Sequence, residues 1–379
     1  MNYRILFFKM SLFLFVLTKI CRISQIAIEL LPYTFFSIFE FIASLFAIFS
    51  ILANKRRNFI VFKFLLVVVS LYVYYKTGEH LFPIVLLIVA GENIEFEKVL
   101  SWMLKPMVIG LTIPWVLSSV NIITNNVFTK ELPLGFLSYT FRPQGLGFMY
   151  FSGFSYLAMT ILMAHAYLKS KISFKYFLLQ IGLSVCIFLL TVTRLQLIIN
   201  FLFIIFLYAG QYIPPKIQFN KLVRFLSLFA FPLCLSITLA ITFSPMFSDY
   251  QNEIKEYSAG RNVLNLLAFE RYQISIFGNK IEKADGIKSD YFFIDSGYVY
   301  SILGYGILLT VLVISISSVI GYRSFQVRNW KLLIWVMLFA VANISNNFLF
   351  SIINCPFLML AFSSFTTTKN KIEWKKFYQ

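Results

Sequence analysis

Four short passages carry most of the residues in this chain that are able to do chemistry. They are "FRPQGLGF" with Arg142, "TVTRLQ" with Arg194, "EYSAGRNVLNLLAFERYQISIFGNK" with Arg261 and Arg271, and "DSGYVYSILGYG" with Asp295. The arginines set the chemistry. A guanidinium stays charged and presents a planar fork that takes phosphate oxygens two at a time. Several of them on one face suit a ligand that carries phosphate or pyrophosphate. Pro143 cannot continue a helix from Arg142, and Gly145 and Gly147 allow tight backbone approach. Ser258 or Asn262 is placed to cap a helix through "VLNLLAFERYQISIF", with Val263, Leu267 and Ile274 turned to the membrane interface. Arg261 would then stand near a helix N-terminus, where partial positive charge draws anions. The competing reading for any single arginine is an anchor that snorkels, its stem on apolar surface and its head in water. Arg194 fits that reading least, because it sits in a turn between two apolar runs with no other charge nearby.

Acid–base candidates are fewer. Asp295 stands where a long polar stretch returns to apolar sequence, either as a base or as part of a helix cap with Ser296. Asp249, Glu253 and Glu256 read as solvated loop surface. Glu79 and His80 lie at the end of an apolar run, and His165 is expected to be buried near the inner end of another, in a structural role. Two histidines and four scattered cysteines, none spaced as CxxC, indicate neither a metal site nor a disulfide framework. No cofactor is expected.

These groups must be held by a membrane domain. Of 379 residues, 59% are hydrophobic and 13% charged, with 45 Phe, against about 25% charged in an ordinary soluble domain. The expected fold is an all-α integral membrane protein, one polytopic domain over residues 1–379. Apolar runs place about twelve spans at 5–21, 30–53, 59–75, 80–91, 99–124, 146–168, 173–192, 195–213, 221–244, 295–321, 330–348 and 350–366. The net charge of +17 follows from positive charge collected on one side rather than from nucleic-acid binding. With both termini cytoplasmic, the short inner segments hold 17 Lys or Arg and the short outer ones six. Residues 245–294 then form a long outer loop carrying short helices. With six Lys/Arg and seven Asp/Glu it is near neutral and easily translocated.

Read as a set, "RPQG", "TVTR", "SAGR … IFGN" and "DSGYVYSILGYG" resemble the motifs of Wzy-type polysaccharide repeat-unit polymerases, of the O-antigen polymerase and ligase superfamily. That family shows an arginine-glycine element before a mid-chain span and a "T-x-S-R"-like hairpin. A long outer loop with "S-G-R" and "F-G" follows, then a re-entry resembling "D-S-G-Y". Through topology the resemblance covers most of the chain, although each motif is short. Thr193 stands where a serine is common, and Lys280 where "FGNG" is more usual.

The resemblance implies an oligosaccharide on undecaprenyl pyrophosphate as both donor and acceptor. The donor glycan passes to the non-reducing end of a second lipid-linked unit, and undecaprenyl pyrophosphate is released at the outer face of the cytoplasmic membrane. The leaving group is already activated, so the implied enzyme is a metal-independent glycosyltransferase. Its work is to neutralise charge on the pyrophosphate and to position the acceptor hydroxyl. Catalytic roles fall on Arg142, Arg194, Arg261 and Asp295, and substrate contacts on Gly145, Arg271 and Tyr298. The bilayer, a chain-length regulator and a flippase are the other implied partners. The related ligases carry an outer-loop histidine, and residues 245–294 have none.

One alternative is an O-antigen ligase-type glycan transferase; the other is a polysaccharide transporter or lipid-oligosaccharide flippase. The latter calls for ionisable residues at mid-membrane and broken helices. Glu29, Glu40 and "KPMVIGLTIP", with Lys105, Pro106 and Pro114, are the features that favour it. The arginines at span ends and the long outer loop favour the enzyme.

Overall fold

A computed structural model describes residues 3–54, 60–134, 137–243, 261–282 and 293–364. Helices follow in the order α1 (Tyr3–Arg22), α2 (Ile26–Glu29), α3 (Tyr33–Leu52), α4 (Ile60–Thr77), α5 (Leu81–Ala90) and α6 (Phe96–Ser119). Strands β1 (Lys130–Leu134) and β2 (Leu137–Phe141) come next, then α7 (Phe151–Leu168), α8 (Phe174–Thr191), α9 (Arg194–Gly210), α10 (Pro215–Gln218) and α11 (Lys221–Phe243). The chain ends with α12 (Arg261–Arg271), α13 (Gly297–Tyr300), a π-turn over Ser301–Tyr305, α14 (Ile307–Gln326), α15 (Trp330–Ala342) and a 3₁₀ turn at Pro356–Ala361.

Among the described residues seven helical stretches are long and apolar enough to cross a membrane: α3, α4, α6, α7, α8, α10–α11 and α14. The shorter apolar helices α5, α9 and α15 accompany them. Large apolar side chains stand on the outside of these helices, Phe41 at 63% and Phe64 at 66% exposure among them. A surface of that kind is stable where lipid covers it. The architecture is therefore that of a helical, multi-pass membrane protein.

Helix α1, expected to span at 5–21, is not among these stretches because it carries Arg4, Lys9, Lys19 and Arg22, and two further regions depart from the expected pattern. Strands β1 and β2 pair antiparallel, with Lys130 opposite Phe141 and Leu134 opposite Leu137. The apolar run expected to span at 350–366 makes, over its described residues 350–364, turns and the short 3₁₀ stretch instead. Pro356 lies in its middle, and a proline removes a donor and obstructs the preceding helical turn. The run is apolar because Phe357, Leu358, Met359 and Leu360 are core.

The chain divides into two compact units. The first comprises Met1–Arg56, Leu86–Pro214 and Phe362–Gln379. Here α1 packs on α3 and α6. Its buried face repeats as Phe8, Leu12, Phe15 and Val16, the period of one helix side. Opposite it α3 presents Ala43, Ser44, Ala47 and Ser50. Small residues let helices approach closely in lipid, where the hydrophobic effect does not drive them together. Ser11 Oγ donates to the Ala43 carbonyl at 2.7 Å. On α6, a Cβ at Gly110 would stand 2.8 Å from Ile20. Glu40 of α3 is buried, and it accepts from Lys19 at 3.1 Å and Arg22 at 3.2 Å.

The second unit comprises Arg57–Val85 and Pro215–Ala361. It is built on α11, α14 and α15, with Phe231, Trp335 and Phe339 fully buried. Where α14 meets α11, Gly321 faces the Ser227 carbonyl so closely that any side chain would overlap it. Asn329 caps α15, its side chain accepting from Leu332 N at 3.1 Å.

Candidate functional site

In the first unit the structure brings "RPQG" onto "TVTR". Arg142 follows β2 directly, and the chain then runs beside the segment leading into β1. Phe128 N donates to the Pro143 carbonyl at 2.9 Å and Gly145 N to the Asn126 carbonyl at 2.7 Å. On its other side Gln144 N donates to the Leu190 carbonyl at 2.9 Å. That bond ties the turn after Arg142 to the C-terminal end of α8, four residues before Arg194.

Two left-handed residues close the first turn, Leu146 at φ 51° and Gly147 at φ 80°. Gly147 has no alternative, since a Cβ there would overlap the Pro114 carbonyl on α6. Gly145, expected to approach a ligand, approaches its own chain: a Cβ would lie 2.6 Å from the Phe148 carbonyl. Both prolines of "KPMVIGLTIP" lie inside α6, which continues from residue 96 to 119.

The second turn is strained. Val192, buried at 2% exposure, takes φ 53° and ψ 36°. A β-branched residue in that region costs of order 1–3 kcal/mol, a cost that clusters at functional sites. Thr193 holds the N-cap position of α9 but makes no capping bond. Its Oγ1 instead pairs with Thr191 Oγ1 at 2.9 Å. Arg194 is the first residue of α9 and is exposed, as is Arg142. Neither arginine has a hydrogen bond or ion pair among the described residues. Two cationic forks and an uncapped helix start thus stand on adjoining turns, an arrangement suited to an oxyanion.

In the second unit "IFGN" and "DSGYVYSILGYG" also meet. Asn279 N donates to the Leu303 carbonyl at 2.8 Å and Ile307 N to the Ser275 carbonyl at 3.0 Å. Gly306, at φ 90°, separates the π-turn from α14 and lies against the Ile276 carbonyl with no room for a side chain. Around this junction Ala268, Val299, Tyr300 and Leu303 form a buried cluster, packed by Leu267 and Tyr272. Tyr300 Oη donates to Glu79 Oε1.

Several expectations change here. Helix α12 begins at Arg261 and ends at Arg271, so Asn262 lies inside it rather than capping it, and Ile274 lies past its end. Ile274 is exposed, and the chain just after it pairs with the start of α14 through the Ser275 and Ile276 carbonyls. Ser258, Asp249, Glu253 and Glu256 fall outside the described residues. Ser296, not Asp295, caps α13, accepting from Val299 N at 3.5 Å, and Asp295 is half-buried one residue earlier. Tyr298, expected to touch substrate, is fully buried, and its hydroxyl donates to the Ala340 carbonyl at 2.8 Å. It is core because α13 packs inward, with Gly297 N bonded to the Asn343 carbonyl at 2.9 Å. Arg271 is exposed at the last residue of α12. His165, expected to be buried, is exposed in the last turn of α7 with Nδ1 2.8 Å from the Tyr176 hydroxyl.

Arg142, Gly145 and Arg194 thus belong to the first unit, and Arg261, Arg271, Asp295 and Tyr298 to the second. Among the described residues no three His, Cys, Asp or Glu side chains gather in a way that could hold a metal ion. Sequence reasoning missed Lys9 and Trp102, which line a groove with Lys105. The interruption of the first apolar run by Lys9 was the only local signal. Comparison with protein-family models, with curated proteins and with solved structures finds no match to this chain.

Proposed function

We propose that this protein polymerises oligosaccharide repeat units carried on a polyprenyl pyrophosphate. An acceptor hydroxyl attacks the anomeric carbon of the donor's reducing-end sugar. The anomeric C–O bond to phosphate breaks, the pyrophosphate leaves with that oxygen, and the hydroxyl proton passes to a base. Arg142 and Arg194 bind the leaving pyrophosphate and offset the charge that grows on it. The observation that carries this reading is the bond from Gln144 N to the Leu190 carbonyl, which sets the two arginine turns side by side. The strained Val192 and the uncapped start of α9 add to it. Arg261, Arg271, Asp295 and Tyr298 enter the reading through the sequence alone. So do the polyprenyl carrier and the cytoplasmic termini.

Purified protein in liposomes, given a polyprenyl-pyrophosphate repeat unit and no nucleotide sugar, is expected to produce a ladder of longer glycans and free polyprenyl pyrophosphate. A flippase would move the same lipid between leaflets and leave its glycan length unchanged. Unchanged length with a protein that binds the lipid would overturn the polymerase reading.

A further inference from the structure

We propose that the groove between α1 and α6 is a binding site for the headgroup of an anionic glycerophospholipid, held by Lys9 and Lys105. The groove has a volume of about 430 Å³ and is lined by Lys9, Met10, Phe13, Leu14, Trp102 and Lys105. Both helices lie within the first unit. At ~1.5 Å per residue, Lys9 stands roughly 9 Å beyond the start of α1 and Lys105 roughly 14 Å beyond the start of α6. Helix α6 is long and apolar enough to cross a membrane, and a cation at that depth is costly unless something answers its charge.

No carboxylate among the described residues answers it. Among the described residues neither lysine has a carboxylate partner, and Lys105 makes no hydrogen bond. Lys19, further along the same helix, shows the contrast: it is paired with the buried Glu40 at 3.1 Å. The Lys9 ammonium lies 4.3 Å from the centroid of the Trp102 ring, which holds it at the groove without neutralising it. Both lysines are exposed, so they face whatever fills the groove.

Charge selects an anion, and the walls select one with a tail. Met10 and Phe13 are 39% and 38% exposed along the same rim. A free phosphate would have to exchange water for that apolar surface. A diacyl phosphate lays its chains on Met10, Phe13 and Leu14 while its headgroup reaches the two ammoniums. Basic pockets between membrane helices bind acidic lipid headgroups by this combination of charge and apolar wall. The site is independent of the arginine turns and does not rest on the polymerase reading.

The test is native mass spectrometry of the full-length protein with equal amounts of phosphatidylglycerol and phosphatidylcholine. Wild type is expected to retain phosphatidylglycerol preferentially, with the preference falling roughly fivefold for each lysine removed. Lys9→Gln with Lys105→Gln should therefore abolish it, and the matching Arg pair should keep it. Lys171→Gln with Lys175→Gln, exposed on the same unit, should change nothing. If the double Gln variant does not purify, Lys105→Gln alone is read for a partial loss, since that side chain holds no bond. Equal retention of the two lipids, or a preference that survives both Gln substitutions, would overturn the proposal. Displacement of the lipid by millimolar inorganic phosphate would also overturn it and assign the groove to the free ion.

Discussion

Arg142→Lys separates a phosphate-binding arginine from a membrane-edge anchor. Arg142 is exposed and bonds nothing among the described residues, so its replacement should change stability by no more than about 0.5 kcal/mol. Protein abundance should stay near that of wild type. The ligand contact should not survive as well. A lysine offers a point charge in place of a fork and gives up one of two charge-assisted hydrogen bonds, each worth about 1.5–3 kcal/mol. At about 1.4 kcal/mol per decade, the polymerisation rate should fall roughly 10–100-fold, and Arg142→Ala should remove it almost entirely. Arg323→Lys, exposed in the last turn of α14 and outside every motif, is the control and should be silent. Polymer ladders from cells carrying each variant, normalised to an immunoblot, give the comparison, and kcat/KM on purified protein gives the magnitude. Lysine snorkels as well as arginine does. A full-length ladder at wild-type rate from Arg142→Lys would therefore refute the pyrophosphate role.

Two further outcomes follow from the same structure. Gly147→Ala places a Cβ against the Pro114 carbonyl at a left-handed φ of 80°, and should cost at least about 2 kcal/mol, seen as a lower melting temperature in detergent. Gly182→Ala, with nothing within 4 Å of its added Cβ, should be neutral or stabilising, and equal melting temperatures for the two would contradict the tight turn. Lys280 is exposed, and in a Cys-free background Lys280→Cys should react with a membrane-impermeant thiol reagent on intact cells. Reaction only after permeabilisation would invert the proposed orientation.

The sequence by itself determined the membrane class, most helix positions and the residues worth testing. Those features are local. Apolar runs of 18 or more residues form helices wherever water is absent, because each backbone donor finds its acceptor within the same segment. Pro143, Gly147 and Gly306 break those runs for reasons of their own backbone geometry. Arg142 and Arg194 were legible because a charge between two apolar runs needs no partner to be noticed.

The tertiary structure decided what those local features meet. The pairing of β1 with β2 depends on a register between two strands, not on periodicity within either. The run at 350–366 reads as a span because it is apolar, yet it is apolar because other helices bury it, with Pro356 preventing a continuous helix. Tyr298 stood in a motif beside an acid, but the inward packing of α13 spends its hydroxyl on Ala340. The pairing of Gln144 with Leu190 joins residues 46 positions apart, and Lys9 reaches Trp102 across 93. Such contacts are set by helix packing over distances that no local pattern in the chain records.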